Sequence, residues 1–408
     1  MCRAAFRYRP MRGSNTANQV DGVGELNGYS IVVHSHLKWD WVWQRPQQFL
    51  ARLSRKHSVL FVESPDVCDD APATRAHVRE VNDFRNINVL QIKIPASRAS
   101  DTPWVDQERR RVVQSLLSGP LGEKFTSIVQ WFYDPMAIRG FAGQLNEQLI
   151  IYDCMDELSL FRGAPPELVH RERELLAVAD LVFAGGPKIW RAKREVNPNC
   201  FCYGCGVDAE HFGRALDPEL RLPDELADLP HPLFGYIGVV DERIDYDLLA
   251  HLAASTKGSL VMIGPWTKVD PTSFPRSNNL HWLGGRDYSD LPSYAKGFDV
   301  CIMPFARNEA TRFINPTKAL EYMATGRPIV STPVEDVVAQ FSNVITIAED
   351  ASRFAEACAR AAVQPQWGQI DRGLILAARN SWDSIVARLE RHIAEALRSG
   401  RAPTFKAA

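Results

Sequence analysis

The stretch of sequence that decides the fold is residues 315–330, Asn-Pro-Thr-Lys-Ala-Leu-Glu-Tyr-Met-Ala-Thr-Gly-Arg-Pro-Ile-Val. Residues 317–324 have the composition of a helix, and a proline next to them suits a helix start. Gly326 and Pro328 indicate where that helix ends. The apolar residues after Pro328 predict a short buried strand. A loop, a helix and a buried strand in direct succession are typical of α/β proteins with parallel sheets.

The start of this helix has the properties of a phosphate site. Its first turn offers free backbone N–H groups and the positive end of the helix dipole. Lys318 and Glu321 are three residues apart and therefore share one helix face. We predict that Asn315, Thr317, Lys318 and Glu321 bind a nucleotide diphosphate, with Lys318 at the phosphates and Glu321 at the ribose. A solvated ion pair on an ordinary helix is the alternative.

Length and composition narrow the class of protein. The 408 residues suffice for two domains, and the 45% hydrophobic and 24% charged content is that of a globular protein. A net charge of −2 gives no support to a nucleic-acid partner. No apolar run reaches the length of a membrane span, and residues 1–28 show no signal-peptide core, so we expect a cytoplasmic protein. The cluster at 109–111, Arg-Arg-Arg, leaves peripheral association with the inner membrane face open, although a solvated helix face explains it more simply.

Eight cysteines are present, and three of them cluster. Cys200, Cys202 and Cys205, with His211 nearby, carry the ligand types of zinc. The spacing lacks a second Cys-x-x-Cys pair, and Cys200 and Cys202 lie in an apolar stretch that predicts a strand. We therefore predict no metal site and no cofactor.

Short apolar runs alternate with amphipathic stretches along the whole chain, which predicts parallel sheets covered by helices. A proline-rich break interrupts this alternation at 213–232. We predict two doubly wound, Rossmann-like α/β domains. Ligands bind beyond the carboxyl ends of the strands in such sheets, so we expect the two domains to face each other across a cleft. The predicted division is a tail at 1–28, a first domain at 29–212, a linker at 213–232, a second domain at 233–382, and a C-terminal helix and tail at 383–408.

Two glycine-bearing turns in the second half are further candidates for binding the nucleotide diphosphate. The strand predicted at 233–237 runs into Gly238, which lets the backbone approach a phosphate, and Arg243 follows as a basic group that can bind a phosphate with two hydrogen bonds. The second turn contains Gly285 and precedes Tyr288. That ring suits stacking on a base or packing into the domain equally well.

In the first half, polar and aromatic residues follow predicted strands. Trp39, Trp41 and Trp43 come close before Arg45. Indole faces suit the C–H surfaces of sugars, so these four residues are candidates for acceptor binding; packing at the domain edge is equally consistent. His36 and Asp153 lie near the ends of strands predicted at 29–35 and 149–153 and are candidates for a general base. Asp156 fits a helix cap better.

The pattern of Glu321, a small-residue helix end, Gly-x-Pro and an apolar strand resembles the C-terminal signature of GT-B glycosyltransferases near family 4. The chain as a whole is similar to bacterial glycosyltransferases of the teichuronic-acid type, which share the Trp-x-Arg-Pro-Gln string that ends at Gln47. The family often has a second glutamate eight residues before the first, and here that position is Phe313.

This resemblance implies a GT-B fold and the activity of a hexosyltransferase. The donor would be a nucleotide-diphosphate sugar and the acceptor a glycan or a lipid-linked glycan in envelope or exopolysaccharide synthesis, with retention at the anomeric carbon and without a bound metal. It also places Arg243 at the diphosphate and the Gly285 loop at the base.

Two other classes of protein share the GT-B fold. A sugar-nucleotide epimerase is one, and the aromatic loop at 39–43 favours a glycan acceptor over it. A non-catalytic binding domain is the other, and the presence of Lys318 and Glu321 argues against it.

Overall fold

The computed structural model describes residues 28–40, 43–69, 73–160, 164–266, 271–308, 311 and 317–399. The chain divides into two compact units. The N-terminal unit runs to Gly204 and takes up the chain again from Val386, and the C-terminal unit comprises Cys205–Ile385. No helix in these described ranges is long and apolar enough to cross a membrane.

The N-terminal unit is built on a mostly parallel sheet of nine strands among its described residues. The strands are β1 Ser30–Ser35, β2 Val59–Glu63, β3 Asp66–Cys68, β4 Arg75–Val81, β5 Phe84–Pro95, β6 Ile128–Phe132, β7 Leu149–Cys154, β8 Leu181–Ala184 and β9 Cys200–Cys202. Their spatial order is β3-β5-β2-β1-β6-β7-β8-β9, and β4 pairs antiparallel with β5.

The helices of this unit are α1 Arg45–Leu53, α2 Thr102–Leu117, α3 Ile138–Phe141, α4 Leu168–Val178 and α5 Pro187–Arg194. Every residue of β1, β2, β6, β7 and β8 is buried. Strands that are covered on both faces read as continuous apolar runs, which is why the sequence predicted them.

The C-terminal unit has a fully parallel six-stranded sheet within the residues described. Its strands are β10 Leu233–Ile237, β11 Ser259–Ile263, β12 Leu280–Gly284, β13 Val300–Met303, β14 Ile329–Ser331 and β15 Thr346–Ile347. The spatial order is β12-β11-β10-β13-β14-β15. The chain thus winds outward from β10 in one direction and from β13 in the other, as in a doubly wound fold. The predicted fold class is confirmed.

The helices that follow the first unit are α6 Ala209–Gly213, α7 Asp224–Ala227, α8 Tyr246–Ser255, α9 Leu291–Gly297, α10 Thr317–Ala324, α11 Glu335–Phe341, α12 Ala351–Val363, α13 Trp367–Arg379 and α14 Trp382–Arg398. The first residues of α14 belong to the C-terminal unit and the rest to the N-terminal unit. Residues 213–232, predicted as a linker, include α7, and Leu226 of that helix is buried in the core of the C-terminal unit.

Candidate functional site

The topology of the C-terminal unit singles out one place for a ligand. The central strand β10 pairs with β11 on one side and with β13 on the other. The connections after β10 and β13 therefore leave in opposite directions, and in open α/β sheets ligands bind in the crevice outside the carboxyl ends of the strands at such a point. Arg243 lies in the loop after β10, and Lys318 and Glu321 lie on α10, the helix that follows β13.

The two loops at this crevice are hydrogen-bonded to each other. The Ala306 amide donates to the Arg243 carbonyl at 2.8 Å, and the Asp245 amide donates to the Pro304 carbonyl at 2.9 Å. Ile244 and Phe305 form an antiparallel bridge between them. The loop that carries Arg243 is thus held at the end of β13.

Arg243 forms a two-pronged ion pair with Asp241. Its Nε and Nη2 donate to Oδ1 and Oδ2 at 2.9 and 2.7 Å. The Asp241 side chain is 5% exposed and the Arg243 side chain 38%. The hydrogen bonds that Arg243 donates to Asp241 raise the pKa of the guanidinium. The carboxylate of this pair is therefore buried, whereas its guanidinium is partly exposed to solvent.

Lys318 and Glu321 form a second ion pair one turn into α10. The Lys318 Nζ lies 2.6 Å from Glu321 Oε2, and the two side chains are 28% and 13% exposed. The predicted sharing of one helix face is confirmed. Thr317 is the first residue of α10 and is half-buried, whereas Asn315 and Phe313 lie outside the described residues.

Charges from both ion pairs act on the buried phenol of Tyr236. Burial raises its pKa well above the ordinary value, Arg243 opposes that rise, and Asp241 and Glu321 add to it. All three charged groups therefore lie near this one hydroxyl. The neighbouring Tyr322 hydroxyl accepts from the Ile237 amide at 2.7 Å and fixes α10 to the end of β10. Arg243 and Glu321 thus both act on the Tyr236 hydroxyl, and their shared role in donor binding stays a prediction.

Glycines bring the ends of β10, β11 and β12 close together. The Gly238 amide donates to the Ile263 carbonyl at 2.8 Å, and the Gly264 amide donates to the Gly284 carbonyl at 2.8 Å. Gly264 has a φ of +144°, and a Cβ there would lie 1.8 Å from the Gly238 carbonyl oxygen. At Gly285 a Cβ would meet no atom of the described residues within 4 Å, so the backbone is open to a ligand there.

Tyr288 packs on a neighbour within its own unit. Its ring stacks on that of His211 at 4.2 Å. Of the two interpretations of Tyr288, stacking on a base or packing into the domain, this contact favours packing. In the described part of the chain, no three His, Cys, Asp or Glu side chains are grouped so that they could hold a metal.

In the N-terminal unit, His36 lies just beyond β1. Its Nδ1 is 3.0 Å from the Tyr133 carbonyl oxygen. A carbonyl only accepts, so in the neutral ring Nδ1 carries the proton and Nε2 the lone pair, which is the tautomer of a general base. Burial raises the pKa of Asp156, and the nearby His36 and Arg45 lower it. Asp156, which the sequence favoured as a helix cap, is thus an acidic neighbour of His36 that sequence reasoning missed.

Asp153 has a structural environment. Its side chain has no exposed surface and pairs with Arg45, whose Nε and Nη2 both lie 2.9 Å from Oδ1. Burial raises the pKa of Asp153, and Arg45 opposes that rise. Arg45 is itself buried and donates to the backbone carbonyls of Tyr203 and Gly204. Neither side chain is at the surface, so the structure does not support the predicted roles of Asp153 as base and of Arg45 as acceptor ligand.

Trp39 and Trp43 pack against other aromatic rings of the unit. Trp39 is 4% exposed and contacts the Phe61 ring edge-on at 5.2 Å. Trp43 is half-buried and stacks on Phe84 at 5.7 Å. Trp41 lies outside the described residues. Of the two interpretations left open, the contacts of Trp39 and Trp43 favour packing.

The string that ends at Gln47 builds the start of α1. Gln47 Oε1 accepts from the Gln44 amide at 3.1 Å, and Gln47 Nε2 donates to the Trp39 carbonyl at 3.0 Å. Its glutamine and arginine thus hold the loop and the helix in place.

Comparisons with known proteins agree with this geometry. Residues 231–363 match the model of the family described as Glycosyl transferases group 1. The putative teichuronic acid biosynthesis glycosyltransferase TuaH of Bacillus subtilis (strain 168) is 27% identical over 104 residues, which are 24% of this chain and 26% of the relative. The chain therefore matches about a quarter of the length of this curated relative.

Solved structures show the fold over most of the chain. Sucrose-phosphate synthase from Thermosynechococcus elongatus superposes with a TM-score of 0.59 at 17% identity, covering 91% of this chain and all of that one. An α,α-trehalose 6-phosphate synthase from Burkholderia multivorans gives 0.58 at 16% identity, covering 92% of this chain and 99% of that one. The resemblance inferred from sequence is confirmed: the chain has the GT-B fold, and its residues 231–363 match the family model described as Glycosyl transferases group 1.

Proposed function

We propose that this protein transfers a hexose from a nucleotide-diphosphate donor to a glycan or a lipid-linked glycan, with retention at the anomeric carbon. The observation that carries the proposal is the pair of half-exposed cations, Arg243 and Lys318, at the crevice between β10 and β13. Each is held by a carboxylate, and charges from both pairs (Arg243 and Asp241 from one, Glu321 from the other) shift the pKa of Tyr236. Two cations beside a helix start suit a diphosphate and little else of biological size.

In the proposed reaction, the bond between the anomeric carbon and the diphosphate oxygen breaks while an acceptor hydroxyl forms the new glycosidic bond. The leaving diphosphate gains negative charge, which Arg243, Lys318 and the first amides of α10 stabilise. Glu321 accepts hydrogen bonds from the ribose hydroxyls when Lys318 moves to the phosphates. The open backbone at Gly285 admits the base, and Gly238, where a Cβ would lie 2.5 Å from the Tyr236 hydroxyl, lets the turn after β10 pass close to the phosphates.

His36 is the proposed proton acceptor of the N-terminal unit, since its Nε2 lone pair is the available basic site. Asp156 beside it would stabilise the protonated ring. We no longer assign this role to Asp153, because its carboxylate is enclosed with Arg45.

The relative TuaH supports a polymer of the cell envelope as the acceptor class, because its printed name assigns it to teichuronic acid biosynthesis. Such an acceptor would bring this protein to the inner face of the cell membrane. One solved neighbour is described as bound with UDP-2-fluoro glucose, which makes UDP-sugars the first donors to test.

The test is a panel of UDP-, GDP-, ADP- and TDP-sugars, each added to the purified chain while its thermal unfolding is followed. A ligand that binds only the folded state raises the apparent stability, by about 2.7 kcal/mol at a hundredfold excess over its Kd. We expect one nucleotide class to stabilise wild type and to lose most of that effect in a variant with Arg243→Ala and Lys318→Ala. Equal stabilisation of both proteins by the same nucleotide would overturn the donor site.

A further inference from the structure

We propose that Asp241 is a positioning residue for donor binding: it holds the Arg243 guanidinium by its Nε–Nη2 edge and thereby aims the Nη1 side at the donor diphosphate. The inference rests on the proposed function and names a residue that the sequence did not single out. It concerns the same crevice, between β10 and β13.

The geometry fixes the guanidinium in two directions. Arg243 Nε donates to Asp241 Oδ1 at 2.9 Å, and Nη2 donates to Oδ2 at 2.7 Å. A guanidinium is planar and its donors diverge at fixed angles. When its Nε–Nη2 edge is taken by a carboxylate, the orientation of the Nη1 side is determined as well. That side belongs to a side chain that is 38% exposed, whereas the carboxylate behind it is 5% exposed.

The carboxylate is in turn held by the loop that it sits in. Asp241 Oδ1 accepts from the Arg243 amide at 3.0 Å, and the Asp241 carbonyl accepts from the Tyr246 hydroxyl at 3.0 Å. Tyr246 is the first residue of α8, so the arrangement is tied to a helix. Asp241 therefore offers Arg243 a rigid support.

Two effects of this support on an incoming phosphate oppose each other. The negative charge of Asp241 repels the phosphate, and the fixed guanidinium loses less conformational freedom when the phosphate binds. Because the phosphate would bind at the Arg243 side chain, which is 38% exposed, solvent screens part of its repulsion from Asp241. We therefore expect preorganisation to dominate, so that loss of the carboxylate weakens binding. If repulsion dominated, the same change would strengthen binding, and the sign of the effect is thus decisive.

The experiment is a double-mutant cycle on the full chain, with UDP as the probe and calorimetry as the readout. UDP is replaced by GDP if the nucleotide-sugar panel favours guanine. Asp241→Asn keeps the shape of the side chain and one acceptor but loses the charged two-pronged pairing. We expect it to weaken UDP binding about tenfold, within the range of couplings between contacting residues. In an Arg243→Ala background we expect the same substitution to change UDP affinity less than about twofold.

The control is Asp350→Asn in the same unit. Asp350 Oδ1 accepts from the Arg353 amide at 2.8 Å and its Oδ2 lies 3.7 Å from Arg353 Nε. It thus shares the local pattern of an aspartate followed by an arginine, but it caps α12. We expect UDP affinity to be unchanged in this variant. Asp241→Glu, which restores the carboxylate, should recover part of the affinity that Asp241→Asn loses.

Three outcomes distinguish a failure of the positioning role from a failure of the proposed donor site. Tighter UDP binding by Asp241→Asn would overturn the positioning role and leave the donor site intact. An equal loss in the presence and absence of Arg243 would also overturn it, because Asp241 would then act through the loop and not through the guanidinium. Unchanged UDP binding by Arg243→Ala would remove Arg243 from the donor site, and with it both the positioning role and that part of the proposed function.

Discussion

Two ion pairs at the carboxyl edge of the N-terminal sheet differ in exposure from two at the carboxyl edge of the C-terminal sheet. In the N-terminal unit the pairs Arg45–Asp153 and Arg109–Asp134 are almost fully enclosed. In the C-terminal unit, Arg243–Asp241 and Lys318–Glu321 each keep a half-exposed cation in front of a more buried carboxylate. An enclosed pair has no surface for a ligand, and breaking it is costly. A pair that exposes only its cation can bind an anion.

The difference shows that residue type and position at a strand end do not by themselves reveal a role. Asp153 lies at the carboxyl end of β7, and Asp241 lies in the loop after β10. Asp153 is enclosed together with its partner Arg45, whereas Asp241 is buried and its partner Arg243 is partly exposed. What differs is the partner and which member of the pair faces outward. Substitutions should therefore affect stability in the first unit and nucleotide binding in the second.

The largest effect is expected from Asp153→Ala. This change leaves the Arg45 charge buried without its partner, and we expect it to lower the free energy of unfolding by about 3–5 kcal/mol. Chemical denaturation measures the change. The matched control in the same unit is Glu174→Ala, which breaks the exposed pair with Arg139 at 2.8 Å. The control should cost no more than about 1 kcal/mol, and equal costs for the two variants would remove the distinction between enclosed and exposed pairs.

The next effect concerns the aromatic loop. Trp39→Ala removes a buried indole that packs on Phe61, and we expect a loss of about 3–5 kcal/mol in stability. Trp282→Ala in the C-terminal unit removes an indole that is 47% exposed and should cost clearly less. Denaturation of both variants decides the matter. A Trp39→Ala protein of wild-type stability that no longer transfers sugar would restore the acceptor-binding interpretation.

A smaller effect is expected at the exposed cations. Lys318→Ala removes a hydrogen bond to a charged phosphate, so UDP binding should weaken by about 1.5–3 kcal/mol while stability stays nearly constant. Calorimetry and thermal unfolding measure the two quantities side by side. Arg353→Ala, which removes another exposed cation of this unit, is the control and should leave UDP affinity unchanged. A Lys318→Ala protein that unfolds early but binds UDP normally would make this pair structural.

Much of the fold could be predicted because its strands are buried on both faces. The strand predicted at 233–237 and the helix predicted at 317–324 have the observed bounds of β10 and α10. The strand β4 was missed because it is a polar, mostly exposed partner of β5 with one buried residue, Val81. The helix α13 was missed because Gly368 and Gly373 lower its helix propensity.

Features of the candidate site that depend on residues close in sequence could be predicted. Features that depend on contacts between residues far apart in sequence could not. The placement of Lys318 and Glu321 follows from helix geometry. The enclosure of Asp153 depends on Arg45, which lies 108 residues away in sequence, and no local pattern reveals it. Asp241 was overlooked although a signal was present. An aspartate two residues before an arginine, just after a strand, is typical of a side chain that caps the loop and meets the arginine.

The last prediction uses pH to test how closed the N-terminal unit is around β1. His34 is buried on this strand, and its Nε2 lies 2.8 Å from Gln130 Oε1. Burial and the nearby Arg109 lower the pKa of His34 to about 3, although Gln130 and Asp134 oppose the shift. The unfolded chain then binds a proton below about pH 6.5 that the folded chain does not bind. Stability should therefore fall as the pH falls from about 6.5 towards 3, with a limiting slope of about 1.4 kcal/mol per pH unit from this one group. Denaturation of wild type and of His34→Gln between pH 5 and 6.5 isolates this contribution, because the difference in stability between the two proteins should itself change with pH. A constant difference over that range would mean that His34 takes up a proton in the folded protein, and that this strand is less enclosed than its contacts indicate.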